Sequence, residues 1–156
     1  MRLLYSVERE FEVSLERLWR AWVSAEELQK WYCPVFLTVV PGSAESDARV
    51  GGNWAIGVDV SANGFNAYFW GSYKEVILNQ RLSHTMCYSQ DPLEFSLRPD
   101  QPDAHLVSVD FEQRLGRSLA RFSQYGEMAP EEAEAAREGI ESYFDNLAKF
   151  LEEKPA

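Results

Sequence analysis

The 156 residues carry a formal net charge of −10 and only two cysteines, which suits one domain over residues 1–156, large enough to fold without a disulfide or a metal. The negative balance argues against a nucleic-acid partner, which would need clustered Lys and Arg, and against anionic membrane surfaces. No apolar run approaches the roughly 20 residues of a membrane span, and Met1–Tyr5 does not read as a signal peptide, so a cytoplasmic location with Cys33 and Cys87 reduced is expected.

In chain order, residues 3–13 alternate, with Leu3, Tyr5, Val7, Arg9, Phe11 and Val13 on one face, as in a half-buried strand. Ser14 is placed to cap a helix bearing Leu15, Leu18, Trp19 and Trp22 at helical spacing. Ser24 is placed to cap a second, with Glu26 and Glu27 in its first turn, Leu28 and Trp31 on its apolar side and Pro34 as its stop. The three tryptophans should anchor these short helices to a sheet. From Pro34 to about Gly126 the pattern is β throughout. Trp54, Ile56, Val58 and Val60 alternate with polar or small residues, Asn63-Gly64 signals a hairpin, and Phe65–Ile77 is aromatic on both faces. Strands follow at 81–88 and 106–115, and a last strand carries Ala120, Phe122 and Gln124 on one face. Between them, Asp91–Asp103 holds three prolines and reads as a loop. Pro130 opens a helix to about Glu153, whose stripe includes Ala136, Ile140, Tyr143, Phe144, Leu147, Phe150 and Leu151.

This inventory predicts an α+β helix-grip architecture. A curved antiparallel sheet of about six to seven strands wraps around the long C-terminal helix, and two short helices follow the first strand. The sheet's apolar face needs a cover, and the last helix is the one element long enough to supply it. Aromatic residues make up 13% of the chain. They either pack a bulky core or line a cavity, and composition does not separate the two.

Four segments also carry a resemblance. Phe11–Trp22 followed by Ser24–Pro34, then Asp47-Ala-Arg49-Val-Gly51-Gly52, then Gly71-Ser-Tyr73-Lys-Glu75-Val76 with Arg81-Leu82 and Thr85, and finally Gly139–Leu151, resemble in order the motifs of the activator-of-heat-shock-protein-90-ATPase-like family of the START and birch-pollen-allergen (SRPBCC) superfamily. The resemblance implies the helix-grip fold and a deep apolar cavity for lipids or other hydrophobic ligands. It also exposes departures. Ile140 stands where the family usually has Trp, which should enlarge the cavity, and Gln124 stands where it often has His, which removes a titratable group. The family's co-chaperone activity needs a second, separate domain in its eukaryotic members, and only one domain is expected over these 156 residues.

Strand and helix faces, with that resemblance, nominate Trp54, Ile56, Val58, Phe69, Tyr73, Met86, Phe111, Phe122, Ile140, Tyr143, Phe144 and Leu147 as cavity wall. Ordinary core packing is the competing account of each. Polar residues on apolar faces say more, because burying them unpaired is costly. His84, Gln113, Gln124 and Tyr143 could form a neutral hydrogen-bonding end to the cavity. The competing accounts are a satisfied core histidine for His84 and solvated strand ends for the glutamines. Gly139, costly inside a helix, suggests close approach of a ligand or strand. There is no G-x-S-x-G, H-E-x-x-H, P-loop or G-x-G-x-x-G pattern, and neither a metal nor a cofactor is expected. Three functions fit: a binding protein for a small hydrophobic or aromatic molecule, a cyclase-, hydrolase- or isomerase-type enzyme using the same cavity, and a chaperone-associated interaction protein. A homodimer through a sheet edge or the Tyr68–Trp70 face is also open.

Overall fold

The computed structural model describes residues 1–153; residues 154–156, the end of the expected single domain, lie outside the described residues. Strand β1 (Leu3–Phe11) leads into helices α1 (Leu15–Val23) and α2 (Ala25–Trp31). Both caps form as the sequence suggests. Ser14 Oγ accepts the Arg17 N–H at 3.1 Å and Ser24 Oγ accepts the Glu27 N–H at 3.3 Å. Glu27 then joins the two helices by pairing with Arg17 at 2.6 Å and Arg20 at 2.9 Å.

The long strands are β4 (Asn53–Val60), β5 (Phe65–Ile77), β6 (Arg81–Ser89), β7 (His105–Arg114) and β8 (Arg117–Tyr125), and two-residue strands β2 (Thr38–Val39) and β3 (Glu45–Ser46) both pair with β4. All pairings are antiparallel, in the order β1-β8-β7-β6-β5-β4-β2. The turn before β4 explains its paired glycines. Gly51 sits at φ +85°, and a Cβ on Gly52 would lie 1.9 Å from the Asp47 carbonyl oxygen, so no larger residue fits there. Asn63-Gly64 does end a hairpin connection, through a 3₁₀ turn over Ser61–Asn63.

Helix α4 (Pro130–Glu152) crosses the concave face. Its Phe144 and Leu147 are fully buried. Phe144 meets Phe11 and Trp22 edge-on at 6.0 Å each. Arg9, which shares β1's inward face, pairs with Asp145 at 2.6 Å and Glu141 at 3.1 Å and lies over the Phe144 ring. The tryptophans anchor α1 and α2 as expected. Trp19 packs edge-on against Phe111 at 5.2 Å, and the Trp31 Nε1–H donates to the Ala21 carbonyl at 2.8 Å. Asn146 Nδ2 donates to the Trp31 carbonyl at 2.9 Å, fixing α4 to the end of α2.

Two expectations about the outer face are corrected. The stretch 91–103 is not all loop. Asp91 caps a short helix α3 (Pro92–Leu97) by accepting the Leu93 N–H at 2.9 Å, and Pro92 takes its first position. At six residues α3 is too short for periodicity to reveal. Its Phe95 stacks on Tyr68 at 4.6 Å, and the Trp70 Nε1–H donates to the Pro99 carbonyl at 3.0 Å. Ala55, Tyr68, Trp70 and Cys87 thereby form a second small core. Strand β4 is therefore buried on both faces, and the Tyr68–Trp70 surface considered for a dimer is covered from within the chain.

Candidate functional site

The strand registers place Trp54, Phe69, Met86, His105, Gln124 and Tyr5 in succession along the inner face of the sheet. The N-terminal half of α4 stands off from that face and leaves a cavity of about 730 Å³. Tyr5, Tyr32, Trp54, Phe69, Tyr88, Phe122 and Tyr143 supply seven aromatic rings to its lining. Ala136, Gly139 and Ile140 form the helix side, and the segment Asp100–Ala104 with Glu127, Met128 and Glu132 forms the mouth. Gln101 positions that segment. Its Nε2 donates to the Tyr88 carbonyl at 2.9 Å and its Oε1 accepts the Tyr88 N–H at 3.0 Å.

The polar groups on the wall are linked. The Tyr5 hydroxyl donates to Gln124 Oε1, and Gln124 Nε2 donates to His105 Nδ1 at 2.7 Å. This leaves the proton of a neutral His105 ring on Nε2. The hydroxyls of Tyr5, Tyr32 and Tyr143 stay protonated. Burial raises Tyr5 and Tyr143 well above the ordinary value of 10.0, with Tyr143 adding to the shift at Tyr5 and Cys33 to that at Tyr143. Tyr32 is raised chiefly by burial as well, reinforced by Tyr143, Tyr5 and Tyr73. Its ring meets Tyr143 edge-on at 5.0 Å. Beside them, burial pushes the Cys33 thiol up to about 11, against the opposing hydrogen bond from Asn146. The wall thus presents protonated tyrosine hydroxyls, with the Gln124 amide and the His105 imidazole beside them as hydrogen-bonding groups.

Of the residues nominated from sequence, Trp54, Phe69, Met86, Phe122, Gln124, Gly139, Ile140 and Tyr143 line this cavity. Ile56, Val58, Phe111, Phe144 and Leu147 do not; they belong to the packed core. Periodicity assigns a face but not a position along it, and at the other end of the grip Trp19 and Trp22 fill the space against Phe111 and Phe144. Tyr73 is buried, hydrogen-bonded to Ser46 at 2.7 Å, with its pKa raised to about 12 by burial. Gln113 is exposed at the β7–β8 turn and donates to the Arg114 and Arg117 carbonyls.

His84 also lies outside the cavity. It is 3% exposed, stacks on Trp54 at 3.9 Å and donates its Nδ1–H to the Thr85 carbonyl at 2.9 Å. Burial lowers its pKa to about 4, outweighing that hydrogen bond. It is a satisfied core histidine. The imidazole expected to be missing at Gln124 instead stands beside it on the next strand, as His105. Sequence reading passed over His105, Tyr5, Tyr32 and Tyr88. His105 and Tyr5 share the inward register of their strands and could have been found that way. The mouth segment follows α3 and had no such signal.

Gly139 is not forced by a close neighbour. A Cβ there would meet nothing within 4 Å, because the cavity lies beside it. Gly139→Ala should stabilise the protein by about 1 kcal/mol through helix propensity alone. Calorimetry should show a melting temperature higher by roughly 2–4 °C.

Among the described residues, no group of three or more His, Cys, Asp or Glu is placed to hold a metal ion. No described helix is long and apolar enough to cross a membrane. A comparison with curated proteins finds no match. Solved structures show the same fold. A protein from Chromobacterium violaceum aligns with TM-score 0.76 at 22% identity, covering 96% of this chain and 97% of that one. The AHSA1 protein from Silicibacter pomeroyi aligns with TM-score 0.78 at 22% identity, covering 94% and 96%. A Mycobacterium smegmatis protein aligns with TM-score 0.78 at 15% identity, covering 97% and 91%. The family model described as "Activator of Hsp90 ATPase homolog 1-like protein" matches residues 12–152, which takes in α1 and α2, the glycine turn before β4 and the whole of α4, and on that match the chain belongs to this family.

Proposed function

We propose that this chain is a cytoplasmic binding protein, acting as one domain over residues 1–156, that holds a small hydrophobic or aromatic molecule between the sheet and α4. The observation that carries this reading is the cavity itself. Its volume falls within the about 300–1,000 Å³ of small-molecule sites, and its composition, mostly apolar with a few convergent polar groups, is also typical of them. The Tyr5–Gln124–His105 chain and the Tyr32 and Tyr143 hydroxyls would orient a polar end of the ligand. An enzymatic reading would draw support from a histidine of displaced acidity facing the cavity, but His84, whose pKa is displaced, lies behind Trp54.

Native mass spectrometry on protein purified from its own host tests the proposal. A copurifying molecule of defined mass is expected. Gly139→Trp, whose side chain would project into the cavity, should lose it while the fold is retained by circular dichroism. If no bound mass appears and no member of a lipid and aromatic library shifts the melting temperature, the binding reading is wrong.

A further inference from the structure

The charges at the mouth say more about the ligand than the apolar wall does. Asp100 and Asp103 stand on the segment after α3, Glu127 follows β8 and Glu132 lies in the first turn of α4; all four are exposed and line the cavity. Among the described residues, no Lys or Arg lines it, and none of the four carboxylates is ion-paired. Arg98 pairs with Glu45, and Arg137 pairs with Glu134 and Glu141. Arg2 donates to the carbonyl of Met128 at 3.3 Å and keeps its charge there, so one guanidinium stands near the mouth against four carboxylates. The amino end of α4 contributes a partial positive charge, but Glu131 and Glu132 already oppose it in the first turn.

A low-dielectric cleft rimmed by charges of one sign concentrates counter-ions of the other. Aromatic faces attract a cation in the same direction, and seven aromatic rings stand inside this rim. Resting on the binding function proposed above, we infer that the ligand is an amphipathic cation: an apolar or aromatic body that fills the cavity, with an amine or quaternary ammonium group held at the acidic mouth. The same rim repels fatty acids and other anionic amphiphiles. The lip carrying Asp100 and Asp103 is held over the opening by the paired Gln101–Tyr88 hydrogen bonds, so these charges are presented in place.

Three probes sharing one naphthylpropyl body test the inference, ending in trimethylammonium, a hydroxyl and a carboxylate. Binding is followed by quenching of tryptophan fluorescence, with Trp54 in the wall as reporter, and by calorimetry. At low salt the ammonium probe should bind about 10-fold or more tightly than the alcohol, and the carboxylate more weakly than either. The preference should shrink in about 1 M salt, where the screening length falls to about 3 Å. In the fourfold variant Asp100→Asn, Asp103→Asn, Glu127→Gln, Glu132→Gln, the ratio of ammonium to alcohol affinity should fall to about one, with circular dichroism confirming the fold. Equal binding of ammonium and alcohol to the unaltered protein, or a preference that survives in the fourfold variant, overturns the charge inference while the binding function stands. Failure of all three probes to bind, with Gly139→Trp indistinguishable from the parent, overturns both.

Discussion

Trp22→Ala is expected to cost about 3–5 kcal/mol of folding stability, the range for removing a large buried aromatic side chain. Trp22 is 4% exposed and its ring touches five others: Trp31 at 4.8 Å, Tyr32 and Phe144 at 6.0 Å, and Phe111 and Phe122 at 6.2 Å. Those partners come from α2 and its end, the sheet and α4, so one side chain joins all three layers of the grip. Domains of this kind are stable by only about 5–15 kcal/mol, so the variant should be partly unfolded in modest urea. Trp22→Phe should behave differently. Among the described residues, the buried Trp22 Nε1–H has no hydrogen-bond partner, a defect worth about 1–3 kcal/mol, and phenylalanine removes it while keeping most ring contacts. The loss should stay below about 2 kcal/mol. Urea unfolding of both variants gives the comparison, and a loss under about 1 kcal/mol for Trp22→Ala would show that the helices do not depend on this ring.

The second large effect is an acid destabilisation centred on His84. Its folded pKa of about 4 lies below its ordinary 6.5 because burial disfavours the charged ring. Between these two values the unfolded chain binds the proton and the folded protein does not, so stability falls as pH drops through 6.5 toward 4 and recovers as it rises. By pH 4.5 the contribution amounts to roughly 2–3 kcal/mol. Surface carboxylates add their own acid dependence, so the informative quantity is the difference between the protein and His84→Gln, whose amide can still donate to the Thr85 carbonyl. The variant should lose roughly 2–3 kcal/mol less between pH 7 and pH 4.5 in urea titrations. Parallel losses would mean that His84 titrates normally in the folded state.

Neither effect could have been sized from sequence, although both residues were singled out there. The alternating and helical patterns placed Trp22 on an inward helix face and His84 on an inward strand face. They did not say which inward residues meet solid packing and which meet empty space. His84 was nominated for the cavity and lies behind Trp54, while His105, two residues before Val107 on the same face of β7, is on the cavity wall. Face is a local property of a period-2 or period-3.6 chain. Depth along the grip depends on where the α1 and α2 tryptophans insert, and that is a contact between elements far apart in sequence.

The same division holds across the molecule. The capped short helices, the glycine turn before β4, the strand positions and the long amphipathic α4 were legible in the sequence because each rests on local signals: cap side chains, obligatory glycines and hydrophobic period. Their order was enough for the grip architecture and for the family resemblance, which the match over residues 12–152 carries through. Tertiary structure alone decided that α3 covers Tyr68 and Trp70, that half the nominated wall is solid core, and that Asp100, Asp103, Glu127 and Glu132 meet at one mouth. A six-residue helix and a proline-containing segment have too little periodicity to announce their contacts. Carboxylates from two stretches of the chain, 100–103 and 127–132, come together only when the sheet curls and α4 lies across it.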